Sequence, residues 1–525
     1  MESHRHDYVI VGAGSAGCVL ASRLSDDPDV SVLLLEAGPP DVKPELHVPI
    51  GYLALDHTDV DWDYSSAPEP NCGGRRLALP RGKTLGGSSS TNAMIYVRGW
   101  PADFDRWDVP GWGWSDLLPY FLRAEDNARG ASEFHAVGGP LSVSDPRSPN
   151  PMMEAFVEAG QQAGLPANAD FNADSQVGVG FFQLTQRDGM RCSTADAYLR
   201  PALKRKNLTV HTYTQVDAVL FDAGRAIGVS ATSLGRRETF LAAREVILCA
   251  GTYNSAQLLQ LSGVGPADHL TSLGIPVVLD QPQVGENLSD HPAVHHSWGT
   301  NEPVSLLQAN TPAAIKEFET SRTGPRTSNS GEACAFVSIA GDPDEADIQI
   351  HAVPLAILEN GVGHGVWLAP TLLQPAARGT VRIAAADPSK KPEINCNYWA
   401  EDIDLDRMAA GIRLTLEIAS QPALARFCAD PLIVPEATDD ATLRQYIARR
   451  TMSLFHAAGT CAMGQVVDAH LNVDGLQGLR VVDASVLPTV PRGNPNAVVI
   501  AVAERAADII RDRVPVALEP GACSR

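Results

Sequence analysis

The sequence predicts an α/β fold: a doubly wound domain assembled from separated stretches of chain, with a second domain inserted into it. Three observations predict this. A strand–glycine turn–helix–strand unit opens the chain. A second buried strand, ending in a glycine turn, lies near the middle. A strand, a Pro-rich loop and a long helix close it.

The opening unit is explicit. Tyr8-Val9-Ile10-Val11 is a short apolar run, and Gly12-Ala13-Gly14-Ser15-Ala16-Gly17 follows it. Ala16, Leu20 and Leu24 recur at helical spacing, and Val32-Leu33-Leu34-Leu35 is a second strand, so the unit reads as βαβ. A Gly/Ser loop spans Arg81 to Asn92. Asn207 to Ala231 alternates and is rich in β-branched residues, which predicts hairpin strands. Glu245 to Gly251 is the middle buried strand with its glycine turn. Residues 301–455 mix short strand-like and helical pieces without a nucleotide signature. From Leu479 come a strand, a Pro-rich loop and a helix expected to close before Pro515. No internal repeat or low-complexity linker separates these parts. Nucleotide-type motifs at the start, middle and end therefore predict a discontinuous domain.

Composition narrows the class. The chain has 525 residues, 44% hydrophobic and 20% charged, ordinary values for a globular protein of two or three domains. Its formal charge is −21 and its pI is near 5.0, which argues against a nucleic-acid partner. The nine cysteines form no C-x-x-C pair, and that suits reduced thiols in a cytoplasmic protein. Val9 to Ala21 is apolar but Gly-rich and runs on into a strand, so it reads as folded structure, not a leader. The run Ala497 to Ala503 is too short to span a membrane, and no transmembrane helix is expected.

Four motifs carry chemistry. In Gly12-x-Gly14-x-x-Gly17, the first glycine permits a tight turn and the second lets backbone approach a pyrophosphate. The third allows close helix–strand packing, and the helix N-terminus attracts anions. Glu36 follows about 20 residues on, where a carboxylate can accept ribose hydroxyls. This pattern predicts a dinucleotide site and serves FAD and NAD alike. In Arg81 to Asn92, adjacent Gly86 and Gly87 would let backbone press on something flat; the alternative is a tight loop whose serines cap a helix. His456 in Phe455-His456-Ala457-Ala458-Gly459-Thr460 is a candidate base or a buried core histidine. Asn494-Pro495-Asn496 reads as a helix N-cap with proline in the first turn. His291, His295 and His296 do not predict a metal site, because Pro292 interrupts them and no H-E-x-x-H pattern is present.

Taken in order, these motifs resemble the glucose–methanol–choline (GMC) family of flavoenzymes, over nearly the whole chain. The likeness rests on DYVIVGAGSAG with LLLEAG, RGKTLGGSSSTN, GTYNSAQLLQLSGVG, VGENLSDHP, FHAAGTCAMG and VVDASVLPTVPRGNPNAVVIAVAERAADII. Within the family it is most similar to choline-dehydrogenase-type alcohol dehydrogenases and oxidases.

The resemblance implies a Rossmann-like FAD domain with an inserted substrate domain on an antiparallel sheet, as in p-hydroxybenzoate hydroxylase. The FAD domain would take residues 1–150, 190–300 and 456–525; the substrate domain would take 151–189 and 301–455. FAD would contact Gly12, Gly14, Ser15, Ala16, Gly17, Glu36 and Ala37 at its pyrophosphate and ribose. Gly87 and Asn92 would lie against the isoalloxazine, Val216 against adenine, Asp483 and Ala484 near the pyrophosphate and ribityl chain, and the helix starting around Asn494 near flavin N1 and O2; Ala93, Met94, Asn494 and Asn496 would also contact the cofactor. Thr91 stands where some members carry the histidine that bonds flavin, so the FAD is expected to be non-covalent. Ala457 and Ala256 replace prolines usual in the family, without removing a functional group.

The implied activity is oxidation of an alcohol, a primary one by the same likeness. His456 would take the hydroxyl proton, Asn494 would assist, and hydride would pass to flavin N5, with oxygen or a quinone as final acceptor. A lyase of the same family (hydroxynitrile lyase or photodecarboxylase type), a non-catalytic flavin-binding protein and an NAD-dependent dehydrogenase are the alternatives.

Overall fold

Val9, Ile10, Leu33 and Leu34 have no solvent exposure, as befits strands covered on both faces. In the computed structural model, which describes residues 4–339, 342–358 and 360–514, they form the centre of a seven-stranded sheet. Across the sheet run Leu208–His211, Val32–Leu35, His4–Val11 and Arg236–Leu248, all parallel. Arg225–Ser233 and Thr214–Asp222 continue it antiparallel. Arg236–Leu248 is long enough to serve twice: its first half joins the hairpin, and its second half pairs with Leu479–Val481 in parallel.

The stretch read as a hairpin is divided. Only Thr214–Asp222 and Arg225–Ser233 form one, whereas Leu208–His211 joins the parallel sheet beside Val32–Leu35. Tyr213 turns the chain between them with φ +54°, its N–H bonded to the Gly38 carbonyl at 2.9 Å.

The helices Ser15–Leu24 and Asn496–Ile510 pack on one another against this sheet. Asn496–Ile510 is buried nearly all round, which accounts for its Ala/Val sequence. Its Glu504 side chain, fully buried, receives Arg23 and Arg123 at 2.7 Å and the Tyr198 hydroxyl at 2.8 Å. Removing one partner of such a buried pair costs about 3–5 kcal/mol, so this cluster clamps the first and last helices together.

A second sheet of eight strands is antiparallel. Asp430–Ile433, His296–Gly299, Gly365–Leu372, Ile348–Val353, Ala333–Val337 and Gly178–Phe181 lie side by side, and Pro292–Val294 links Gly365–Leu372 to Thr451–Ser453. Pro292–Val294 and His296–Gly299 thus belong to this sheet, although the expected boundary grouped them with the nucleotide part. Among the described residues no helix is long and apolar enough to cross a membrane, and the described cysteines are all free thiols. Pro515 and Cys523 lie outside the described residues.

Candidate active site

Two glycine loops meet at the C-terminal end of the parallel strands. The Gly86 N–H bonds the Ala13 carbonyl at 2.7 Å, which locks one loop to the other. A Cβ on Gly17 would lie 1.9 Å from the Gly12 carbonyl oxygen. Gly87 has φ +52°, and a Cβ there would sit 2.7 Å from the Gly14 Cα. Side chains are thus excluded where backbone must come close to backbone. Ser15 and Ala16 open the first helix, and the Ser15 hydroxyl bonds the Asn496 side chain at 2.7 Å, so the N-termini of the first and last helices lie side by side.

Glu36 ends the second strand and is buried. Its carboxylate accepts the Ala13 N–H at 2.9 Å and the Gly38 N–H at 2.8 Å, and burial pushes its pKa up to about 7. Ala37 and Gln215, the neighbour of Val216, line one surface groove. Asp483 is buried and turned to protein partners: Gly251 N–H at 2.9 Å, Ser255 hydroxyl at 2.5 Å, and both donors of Ser485 at 2.6–2.8 Å. It joins the last strand to the helix Gly251–Leu261, and Ala484 follows it in a short 3-10 turn. Asn92 ends the helical turn Ser88–Thr91. Its Oδ1 accepts the Met94 N–H at 2.9 Å and Arg191 Nη1 at 2.8 Å, leaving the amide nitrogen without a partner among the described residues. The Ala93 carbonyl accepts Asn329 Nδ2 at 2.9 Å.

The chain around His456 is held more firmly still. Phe455 has φ +66°, a costly conformation for a bulky residue. Three bonds enforce it: Phe455 N–H to Ser453 Oγ at 2.7 Å, His456 N–H to Asp290 Oδ1 at 2.7 Å, and Arg81 Nη1 to the Phe455 carbonyl at 2.7 Å. Asp290 also accepts the His291 N–H at 2.9 Å and the Tyr398 and Ser453 hydroxyls at 2.5 Å each.

These anchors set up a polar chain whose proton positions follow from its end. His291 Nε2 lies 3.0 Å from the Leu373 carbonyl, which can only accept, so Nε2 carries the hydrogen. Burial holds the pKa of His291 at about 3, so the ring is neutral and its Nδ1 is an acceptor. Nδ1 lies 2.9 Å from His456 Nδ1, which must therefore be the N–H. His456 Nε2 is left as the unprotonated nitrogen, and the Asn494 amide nitrogen donates to its lone pair at 3.0 Å. Burial first, then the neighbouring His291, His351 and Arg81, hold the His456 pKa well below the usual value.

Asn494 is not the helix N-cap its sequence suggested. The helix starts at Asn496, Pro495 already has helical dihedrals, and the Asn494 side chain bonds His456 instead. Its Oδ1 is buried with no hydrogen-bond partner, a group that a bound molecule would satisfy. Sequence reasoning missed Asp290, His291 and Arg191. The first two lie inside the quoted VGENLSDHP motif, but nothing in the local pattern announces a contact with His456.

A two-helix-ended nucleotide cradle beside a neutral, tautomer-fixed histidine defines the class: a dinucleotide-dependent oxidoreductase. Family profiles described as GMC oxidoreductase match residues 6–293 and 375–503, and the chain belongs to the GMC oxidoreductase family. It is 42% identical to the oxygen-dependent choline dehydrogenase of Paraburkholderia phymatum, over 98% of this chain and 94% of that one. It is 39% identical to the alcohol dehydrogenase [acceptor] of Pseudomonas putida, over 98% and 97% of the two chains. Among solved structures, pyridoxine 4-oxidase from Mesorbium loti superposes with a TM-score of 0.89 at 32% identity, covering 97% of this chain and 100% of that one. Formate oxidase superposes with a TM-score of 0.91 at 27% identity, covering 98% and 99%. The chain is thus an FAD-dependent GMC oxidoreductase with the mixed α/β fold of that family.

Proposed function

We propose that this enzyme oxidises a primary alcohol to its aldehyde, with His456 as the base and Asn494 as its partner. The observation that carries the reading is the chain from the Leu373 carbonyl through His291 and His456 to Asn494, which leaves one basic nitrogen, His456 Nε2, facing an amide donor. The glycine cradle, Glu36 and the unpartnered amide nitrogen of Asn92 fit FAD: the cradle keeps side chains off the start of the first helix, where a pyrophosphate would sit, and Glu36 keeps acceptor capacity for ribose hydroxyls. Gly12, Gly14, Ser15, Ala16, Gly17, Ala37, Gly87, Ala93, Met94, Val216, Asp483, Ala484 and Asn496 complete the proposed contacts. FAD, once bound, supplies the hydride acceptor.

The protein's part is to move one proton. A substrate hydroxyl placed between Nε2 and the Asn494 amide gives its proton to Nε2. The His456 cation so formed keeps its Nδ1–H on His291, and the Asn494 N–H supports the alkoxide. Oxygen or a quinone would reoxidise the enzyme. The proposed domain division keeps the expected segments, with the strands from Pro292 onward assigned to the substrate part. The test is anaerobic bleaching of the flavin by alcohols. His456→Ala should lower its rate by about two to four orders of magnitude with FAD still bound, as for loss of a general base. Near wild-type bleaching would remove His456 from the role, and no bleaching by any alcohol in the wild type would favour a lyase.

A further inference from the structure

We propose that the alcohol this site is built for is uncharged, so that a quaternary ammonium alcohol is a poor substrate. The inference rests on the reading above and concerns only its specificity. A fixed cation cannot lose its charge on burial, so a site that takes one offers a carboxylate or open aromatic faces in exchange for water. Among the described residues, the carboxylates on the segments that hold His456 and Asn494 are bonded to protein donors.

Consider the carboxylates on the segments that build the site. Asp290 is buried, and its two oxygens already accept from two backbone amides and two hydroxyls. Glu332 is buried and accepts the Ser328 hydroxyl at 2.5 Å and the Asn150 N–H at 2.7 Å. Asp103 and Glu345 are both paired with Arg492, and Glu345 also with Arg106. Asp347 accepts the Ile339 N–H at 3.0 Å. Asp483 is taken up by Gly251, Ser255 and Ser485.

The cations are placed the other way. Arg81 spends its hydrogen bonds on the carbonyls of Pro80 and Phe455 and the Tyr253 hydroxyl, none of them anionic. Arg191 is buried, bonds the Ser89 carbonyl and Asn92 Oδ1, and leaves Nε and Nη2 without partners. Two guanidinium groups without a carboxylate bond thus lie on the site's loops: Arg191 on Asn92, and Arg81 on the carbonyl next to His456, whose ring it affects. Like charges at short range in a poorly hydrated site repel strongly.

Two aromatic rings near these loops already carry a cation on one face. Arg81 lies 4.9 Å over the Tyr253 ring and Lys83 4.6 Å over Trp62. The packing around Gly493, beside Asn494, is apolar: a Cβ there would meet Val97 at 2.7 Å and Phe336 at 3.9 Å. Phe336 is in turn packed against Phe171 and Phe182, ring to ring at 5.1 and 6.4 Å.

The experiment compares choline with 3,3-dimethylbutan-1-ol, which has the same shape without the charge, on the FAD-loaded enzyme. Anaerobic flavin reduction gives kcat/KM, and perturbation of the flavin spectrum gives Kd. The expected result is a kcat/KM for the neutral alcohol at least about tenfold above that for choline. Arg81→Gln, which removes one cation and keeps a donor for the Phe455 carbonyl, should narrow that gap. Choline matching or exceeding the neutral alcohol would overturn the proposal. If neither alcohol reduces the flavin, the proposed activity fails, and the Kd values still decide specificity: tighter binding of choline would overturn it, and tighter binding of the neutral alcohol would support it.

Discussion

Replacing His291 with leucine tests the proton arrangement without touching the proposed base. In the structure His291 accepts from His456 Nδ1 at 2.9 Å and donates to the Leu373 carbonyl at 3.0 Å. Leucine has similar bulk and neither function. Two consequences follow. Hydrogen bonds to a charged group are worth about 1.5–3 kcal/mol, and the cation formed when His456 takes a proton loses one. At about 1.4 kcal/mol per decade, that alone slows the step by about one to two orders of magnitude. Without an acceptor at Nδ1, the hydrogen of neutral His456 is also free to sit on Nε2, the atom that must be bare. His291→Asn places an acceptor oxygen near the position of Nδ1 and should recover most of the rate. The assay is stopped-flow anaerobic flavin reduction across pH, with FAD content and melting temperature measured alongside. A leucine variant that reduces flavin at the wild-type rate, or an asparagine variant no better than leucine, would refute the reasoning.

Three further outcomes are expected. Asn494→Ala should slow flavin reduction by at least about tenfold while changing stability by less than about 0.5 kcal/mol, because its side chain caps no helix; a large fall in melting temperature with normal turnover would reverse that assignment. FAD should leave the protein on acid precipitation, since Thr91 offers no imidazole to bond it; colour retained in the pellet would disprove this. His296, buried against Trp298 and Tyr446, has its pKa lowered to about 3 from 6.5 by burial. The unfolded chain therefore takes up a proton below pH 6.5 that the folded chain refuses, and stability falls as pH drops. His296→Phe removes that loss, so its stability relative to wild type should rise by about 1.4 kcal/mol between pH 7.5 and 5.5. A pH-independent difference in denaturant titrations would show that His296 titrates normally in the fold.

The opening strand, turn and helix were legible because their signals are local. Val9 to Gly17 carries a period, a turn and a helix start within a few residues, and the structure places each where the pattern puts it. The hairpin was half legible, because alternation in Leu208–His211 looks the same whether the strand pairs with its neighbour or crosses to Val32–Leu35. Asn494-Pro495 was misread for a similar reason. The dipeptide favours a cap, but the side chain has one amide to spend, and His456 takes it.

The deeper part of the site was not legible, because it is made of contacts between distant segments. Asp290 shows why such a residue has no sequence signature of its own. Its four hydrogen bonds reach the 290 loop, Tyr398 and the 453–456 segment, and they do two jobs at once. They fix the positive φ of Phe455, which aims the next residue, His456, and they bring His291 to the height of its ring. A carboxylate so completely used cannot also act as a base or hold a cation. The expectation of an uncharged substrate therefore rests in part on Asp290, an acid beside His456 that is consumed in building the site.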